Sequence, residues 1–163
     1  MSRTYLSRFI CLVIICIGIS ACSNKNRWDN GTGGGNGTYT PGSPQEFSQA
    51  VGDRVFFETD STDLNATSIS TLDKQSQWLQ RNNRYNVLIE GHADERGTRE
   101  YNYSLGSRRA RIVRDYLVSR GIPSNRIRTV SYGKERPVAV CDNISCWSQN
   151  RRSVTVLENG RSF

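Results

Sequence analysis

The chain has 163 residues, of which 36% are hydrophobic and 23% charged, with a formal net charge of +7. That length and apolar share support one modest core and exclude two. Three of the five cysteines (Cys11, Cys16, Cys22) stand near the N-terminus, which excludes a disulfide framework, and no later apolar run reaches the roughly 20 residues of a membrane-spanning helix, which excludes a polytopic helical membrane protein.

Residues 1–21 read as a signal peptide. Arg3 and Arg8 supply the positive start, and Phe9 to Ile19 an apolar stretch of about 11 residues, too short for a permanent span. Ser20 and Ala21 are small and Cys22 follows directly, a pattern that resembles the bacterial lipobox. What this resemblance implies is cleavage before Cys22 and lipidation of its sulfur, with Ser23 favouring the outer membrane. Durable anchoring needs more than one acyl chain, a condition a lipoprotein meets. Cleavage removes two arginines and no acid, so the basic balance persists. In an exported chain it suits an anionic wall polymer or an acidic protein surface, with no nucleic acid as partner.

Residues 22–44 are expected to form the lipidated cysteine and a flexible Gly/Asn/Ser-rich tether. Six of the twelve residues from Gly31 to Gly42 are glycine and no apolar period appears. A coil of this length reaches roughly 25–30 Å. The folded domain is expected over 45–163. Arg54 to Phe57 reads as a strand, and Asp60 to Asn65 as a turn. Ile69, Leu72 and Leu79 recur at helical spacing up to Asn82. Asn86 to Glu90 reads as a second strand stopped by Gly91. A long helix runs from near Thr98 or Glu100 to Arg120 and ends at Gly121 with Pro123 beyond. Ile127 to Tyr132 and Ser153 to Leu157 give two further strands. The order β-α-β-α-β-β predicts a two-layer α/β (α+β) sandwich, a mixed sheet with helices on one face.

On the long helix, at about 100° per residue, Tyr101, Ile112 and Tyr116 lie within about 40° of Leu105. Arg109 and Asn102 fall inside the same apolar face, with Val113 beside them, whereas Arg111 and Arg114 face solvent. A guanidinium in an apolar stripe needs hydrogen-bonding partners, or its burial costs several kcal/mol. Two readings stand. Arg109 pairs with an internal carboxylate and ties loops together, or it faces a pocket and grips a ligand carboxylate with its fork. Gly91-His-Ala-Asp-Glu-Arg-Gly-Thr98 joins a strand end to the helix start, a place where α/β proteins often bind ligands. Asp94 and Glu95 there suit an ammonium group. With Arg109 they suit a ligand carrying both charges.

Glu90 to Thr98, then Glu100-Tyr-Asn102, Ser104-Leu-Gly106 and Arg108-Arg-Ala110, closely resemble the OmpA-like peptidoglycan-binding domain family, and most of all its lipid-anchored branch. Val130 to Pro137, Asn150-Arg-Arg152 and Val55-Phe-Phe57 are also similar to that family. The resemblance covers about residues 53–157. It implies non-covalent binding of the diaminopimelate-bearing stem peptide of peptidoglycan, with Asp94 on the amine, Arg109 on the carboxylate, and Leu105, Asn102 and Asp60 on the walls. Asp60 here follows Thr59, where such sequences carry phenylalanine. The resemblance further implies TolB and other Tol proteins as partners and a role in envelope integrity and division. The alternative is a wall-binding lipoprotein outside the Tol system.

Catalysis is not expected. His92 is the only histidine, and neither a zinc-protease spacing nor a nucleophile triad is present. No cofactor and no metal is implied. Cys141 and Cys146 lack further metal ligands nearby, and a disulfide fits an exported chain.

Overall fold

The computed structural model describes residues 39–159; the expected signal peptide, the lipidated Cys22 and the tether through residue 38 lie outside the described residues. The first element is a helical turn that sequence reading missed. Ser43 caps α1 (Pro44–Glu46), which runs on as a π-helical segment, Phe47–Gly52. Only Phe47 in it is buried, so no apolar period announces it. Phe47 packs on Trp78 with ring centres 4.9 Å apart, and Trp78 donates through Nε1 to Glu46 Oε2 at 2.8 Å.

Four strands form the sheet: β1 (Arg54–Phe56), β2 (Tyr85–His92), β3 (Ile127–Gly133) and β4 (Arg152–Asn159). Their order is β1-β4-β2-β3, with β2–β3 parallel and the other two pairings antiparallel, a mixed sheet as expected. A parallel pair requires a crossover. Here it is α3 (Arg99–Ser119), capped by the Thr98 hydroxyl; α2 (Ala66–Arg81), capped by Asn65, precedes it. Strand β2 alternates, with Tyr85, Val87 and Ile89 buried against the helices and Asn86, Leu88 and Glu90 less buried on the other face. Burying each such aliphatic side chain contributes about 1.5–3 kcal/mol. Leu72, Trp78 and Leu79 of α2 and Val113 and Leu117 of α3 complete the core from the helix side. Among the described residues no helix is long and apolar enough to cross a membrane.

Three details differ from the sequence expectations. Strand β2 continues through Gly91 to His92, with a bulge between these two residues against β3. A fourth helix, α4 (Ile144–Asn150), stands between β3 and β4, and the disulfide Cys141–Cys146 closes its N-terminal turn. Ile69, Ile112 and Tyr101, placed on the apolar faces by spacing, are exposed at 37%, 39% and 45%. The buried face of α3 is instead Asn102, Leu105, Gly106, Arg109, Ala110, Val113 and Leu117. The helix is rolled toward its small residues because Gly106 lets its backbone close on Gly91 of β2. That roll carries Arg109 to the middle of the buried face, with no exposure at all.

Candidate functional site

Three segments meet at the C-terminal end of β2: the turn after β1 (residues 58–61), the loop 93–98 that leads into α3, and Arg151 just before β4. They enclose a cavity of about 250 Å³ lined by Thr59, Asp60, Asp94, Arg96, Gly97, Tyr101, Asn102, Leu105, Arg109 and Arg151. The structure thus brings Asp60, Asp94, Asn102, Leu105 and Arg109 to one cavity. Glu95 is not among them. Its Oε1 turns away to accept from Trp147 Nε1 at 2.8 Å, so the acid that shares the cavity with Asp94 is Asp60, not Glu95.

Arg109 donates Nε to Ser61 O at 2.9 Å, Nη1 to His92 O at 3.0 Å and Nη2 to Glu58 O at 3.0 Å. Its partners are main-chain carbonyls, not an internal carboxylate. These bonds pin the 58–61 turn to the end of β2. They use three of the five N–H groups of the guanidinium. The face of the group lies 5.1 Å from the centre of the buried Phe57 ring. Burial, then the neighbouring Arg151, lowers its pKa to about 10, with Asp94, Asp60 and Tyr101 pulling the other way. It remains a cation at neutral pH.

Asp94 is 7% exposed. Its Oδ1 accepts from Arg96 N and Nε, both at 3.2 Å, and its Oδ2 from Arg96 Nη2 at 2.7 Å and Arg151 Nη1 at 3.4 Å. Burial pushes the carboxyl up, but the Arg96 bonds, aided by Arg151, outweigh it and hold the pKa below the ordinary 3.8. Four bonds fill the carboxylate's lone-pair sites, so a new donor at Asp94 takes the place of an existing one. Arg96 is the partner free to yield. Its side chain is 40% exposed and stacks 4.2 Å over Trp147, whereas Arg151 is buried and also bonded to Phe57 O at 3.0 Å. Asp60 is exposed, sits at φ 55° and accepts from the Tyr101 hydroxyl. Asn102 donates to Arg96 O at 2.7 Å and so shapes the loop. Arg96 and Arg151 were not singled out from sequence, although both lie inside the quoted motifs. Only their contacts with Asp94 reveal them.

The lining carries three guanidinium groups and two carboxylates around an apolar wall at Leu105. It can hold a small group bearing both charges. Among the described residues no three His, Cys, Asp or Glu side chains converge as metal ligands do.

His92 is not a loop residue but the last residue of β2, 1% exposed, beside the Tyr132 ring. Neither ring nitrogen makes a hydrogen bond among the described residues, and the nearest carboxylate, Glu90 Oε2, stands 3.4 Å from Nε2. Burial, then Arg152 and Arg136, lowers its pKa from 6.5 to about 4. The unfolded chain takes up this proton below pH 6.5 and the folded one only near pH 4. Stability is therefore unaffected above pH 6.5 and falls as the pH drops toward 4, by about 3 kcal/mol in all. Urea denaturation at pH 7 and pH 4.5 checks this. The wild type should lose clearly more stability over that interval than His92→Phe, and equal losses would contradict the assignment.

The OmpA family matches residues 56–151. A peptidoglycan-associated lipoprotein of Rhizobium meliloti is 60% identical over 148 residues, covering 89% of this chain and 84% of the relative. One of Agrobacterium fabrum is 55% identical over 172 aligned positions, covering 96% and 97%. The crystal structure of the peptidoglycan-associated lipoprotein from Burkholderia pseudomallei superposes with a TM-score of 0.67 at 35% identity, covering 71% of this chain and all of that one.

Proposed function

Because this chain belongs to the OmpA family, and within it to the peptidoglycan-associated lipoproteins, we propose that its cavity binds the diaminopimelate side chain of a peptidoglycan stem peptide. One observation carries the reading: Asp60 and Asp94 stand with Arg109 around a single small cavity. The ligand carboxylate approaches the remaining donors of Arg109, and its ammonium lies between Asp60 and Asp94, displacing the Arg96 side chain from Asp94. Leu105 packs on the methylene stem. The action is binding, not catalysis. With Cys22 lipidated and inserted in the outer membrane, and the residues between it and Gly42 as the leash, the chain ties that membrane to the wall; Gly42, Ser43 and Pro44, expected in the tether, belong to the folded domain. TolB and other Tol proteins are the proposed periplasmic partners in envelope integrity and division.

Envelope fractionation with two variants of the full chain tests both ends of this tie. Asn adopts the left-handed backbone of position 60 as readily as Asp does, so Asp60→Asn removes a charge without straining the turn. It should stay in the membrane fraction but sediment with purified wall about tenfold less well, the loss of one charged hydrogen bond. Cys22→Ala should do the converse, leaving the membrane fraction yet still sedimenting with wall. Unchanged wall binding by the first would contradict the cavity, and membrane retention of the second would contradict the anchor.

A further inference from the structure

A second cavity, of about 640 Å³, lies beside the first turn of α3 and is lined by Arg99, Glu100, Tyr103, Ser131, Tyr132, Gly133 and Glu135. It shares no residue with the cavity at Asp94. Arg99, Glu100 and Tyr103 leave the helix on another flank than Asn102, Leu105 and Arg109. Its floor is built by close approach. A Cβ at Gly133, which has φ +50°, would stand 2.9 Å from Tyr103 N. Ser131 Oγ donates to Tyr103 O at 2.7 Å and fixes the helix against β3.

We propose that this cavity is a saccharide subsite, which holds the sugar to which the bound stem peptide is attached. The inference rests on the stem-peptide reading of the first cavity. Its size suits a sugar unit or two, within the common range for ligand pockets of about 300–1,000 Å³. Its chemistry suits a neutral polyol. Tyr103 is 59% exposed and has no ring or cation partner among the described residues, so its face is free to stack on the C–H face of a pyranose. Tyr132 also lines the cavity, but its ring is already packed against the Arg136 guanidinium at 3.5 Å and the His92 ring at 5.6 Å, so Tyr103 is the ring left to stack on a sugar. Arg99 and Glu135 pair at 3.1 Å, both well exposed, and offer donors and acceptors to hydroxyl and acetamido groups with their charges already matched. Glu100 leaves the lining net negative, which disfavours an acidic peptide or a phosphate polymer.

The two cavities adjoin along the start of α3: Tyr101 and Asn102 line the first, Glu100 and Tyr103 the second. Wall stem peptides leave the lactyl group of an N-acetylated amino sugar, and diaminopimelate is their third residue, so the sugar of a peptide seated at Asp94 and Arg109 lies only two residues further along the ligand.

The test is titration of the full chain, and of its Tyr103→Ala variant, with a disaccharide-tripeptide wall fragment and with the same tripeptide free of sugar. Alanine on an exposed helical site leaves the fold intact, which circular dichroism checks. The wild type should bind the disaccharide-tripeptide about threefold to tenfold more tightly than the free tripeptide, the worth of one aromatic stacking contact. Tyr103→Ala should erase that gain and leave free-tripeptide binding unchanged. Equal affinity of the wild type for both fragments, or a gain that survives Tyr103→Ala, overturns the saccharide subsite while the first cavity stands. Loss of free-tripeptide binding with a Tyr103-dependent disaccharide signal upholds the subsite and overturns the stem-peptide reading instead.

Discussion

Replacing Arg109 by alanine is expected to abolish wall binding and to lower the unfolding free energy by about 3 kcal/mol or more, both in one step. Three buried or half-buried carbonyls, of Glu58, Ser61 and His92, lose their donor. A carbonyl left without a partner costs about 1–3 kcal/mol, reduced where water from the adjoining cavity replaces the lost donor. The turn that carries Asp60 is held to β2 by these same bonds, so the site loosens as the fold weakens. Urea denaturation and co-sedimentation with purified wall measure the two effects side by side. Arg109→Lys separates them. It keeps a cation and can satisfy a carbonyl or two, so it should regain part of the stability, but its single ammonium cannot bond the turn, the strand and a ligand carboxylate together. An alanine variant as stable as the wild type would contradict the role given to these bonds.

Gly91→Ala is expected to be the most damaging single methyl group in the domain. A Cβ there would lie 1.8 Å from Gly106 O and 2.6 Å from Gly106 C, atoms of a helix backbone that cannot rotate away. Strand β2 and helix α3 would have to part along their contact. Overpacking against side chains typically costs about 1–3 kcal/mol; against backbone on both sides the loss should be at least about 3 kcal/mol. Separation of the two elements also lengthens the Arg109 bond to His92 O, so wall binding should fall with stability. A urea midpoint unchanged from the wild type would show that the contact is not tight.

Much of this arrangement is legible in the sequence. The strands and the two long helices follow from apolar spacing, caps and stops, and the mixed two-layer sheet is found as expected. What spacing misreads is the roll of α3. An apolar count centres the buried face on Leu105, Ile112 and Tyr101, but glycine and alanine decide where a helix can approach a sheet, and Gly106 and Ala110 turn it by a good fraction of its circumference. Arg109 stands out in either register. What it does is less visible, because its partners are main-chain carbonyls, which leave no mark in side-chain identity. Arg151 is hidden for a related reason: it sits far along the chain from Asp94 and reaches it only once β4 has paired with β1 and β2. Helix α4 is short and buries only Cys146 and Asn150, which is too little apolar pattern to be seen in the sequence.

The most direct measurement of the central claim is a calorimetric titration of the chain with stem peptides that differ only at the third residue, diaminopimelate in one and lysine in the other. Lysine offers an ammonium to Asp60 and Asp94 but no side-chain carboxylate to Arg109. With a charged hydrogen bond worth about 1.5–3 kcal/mol, the diaminopimelate peptide should bind at least about tenfold more tightly. Equal affinities would mean that Arg109 serves only the fold and that the cavity at Asp94 does not read the zwitterion.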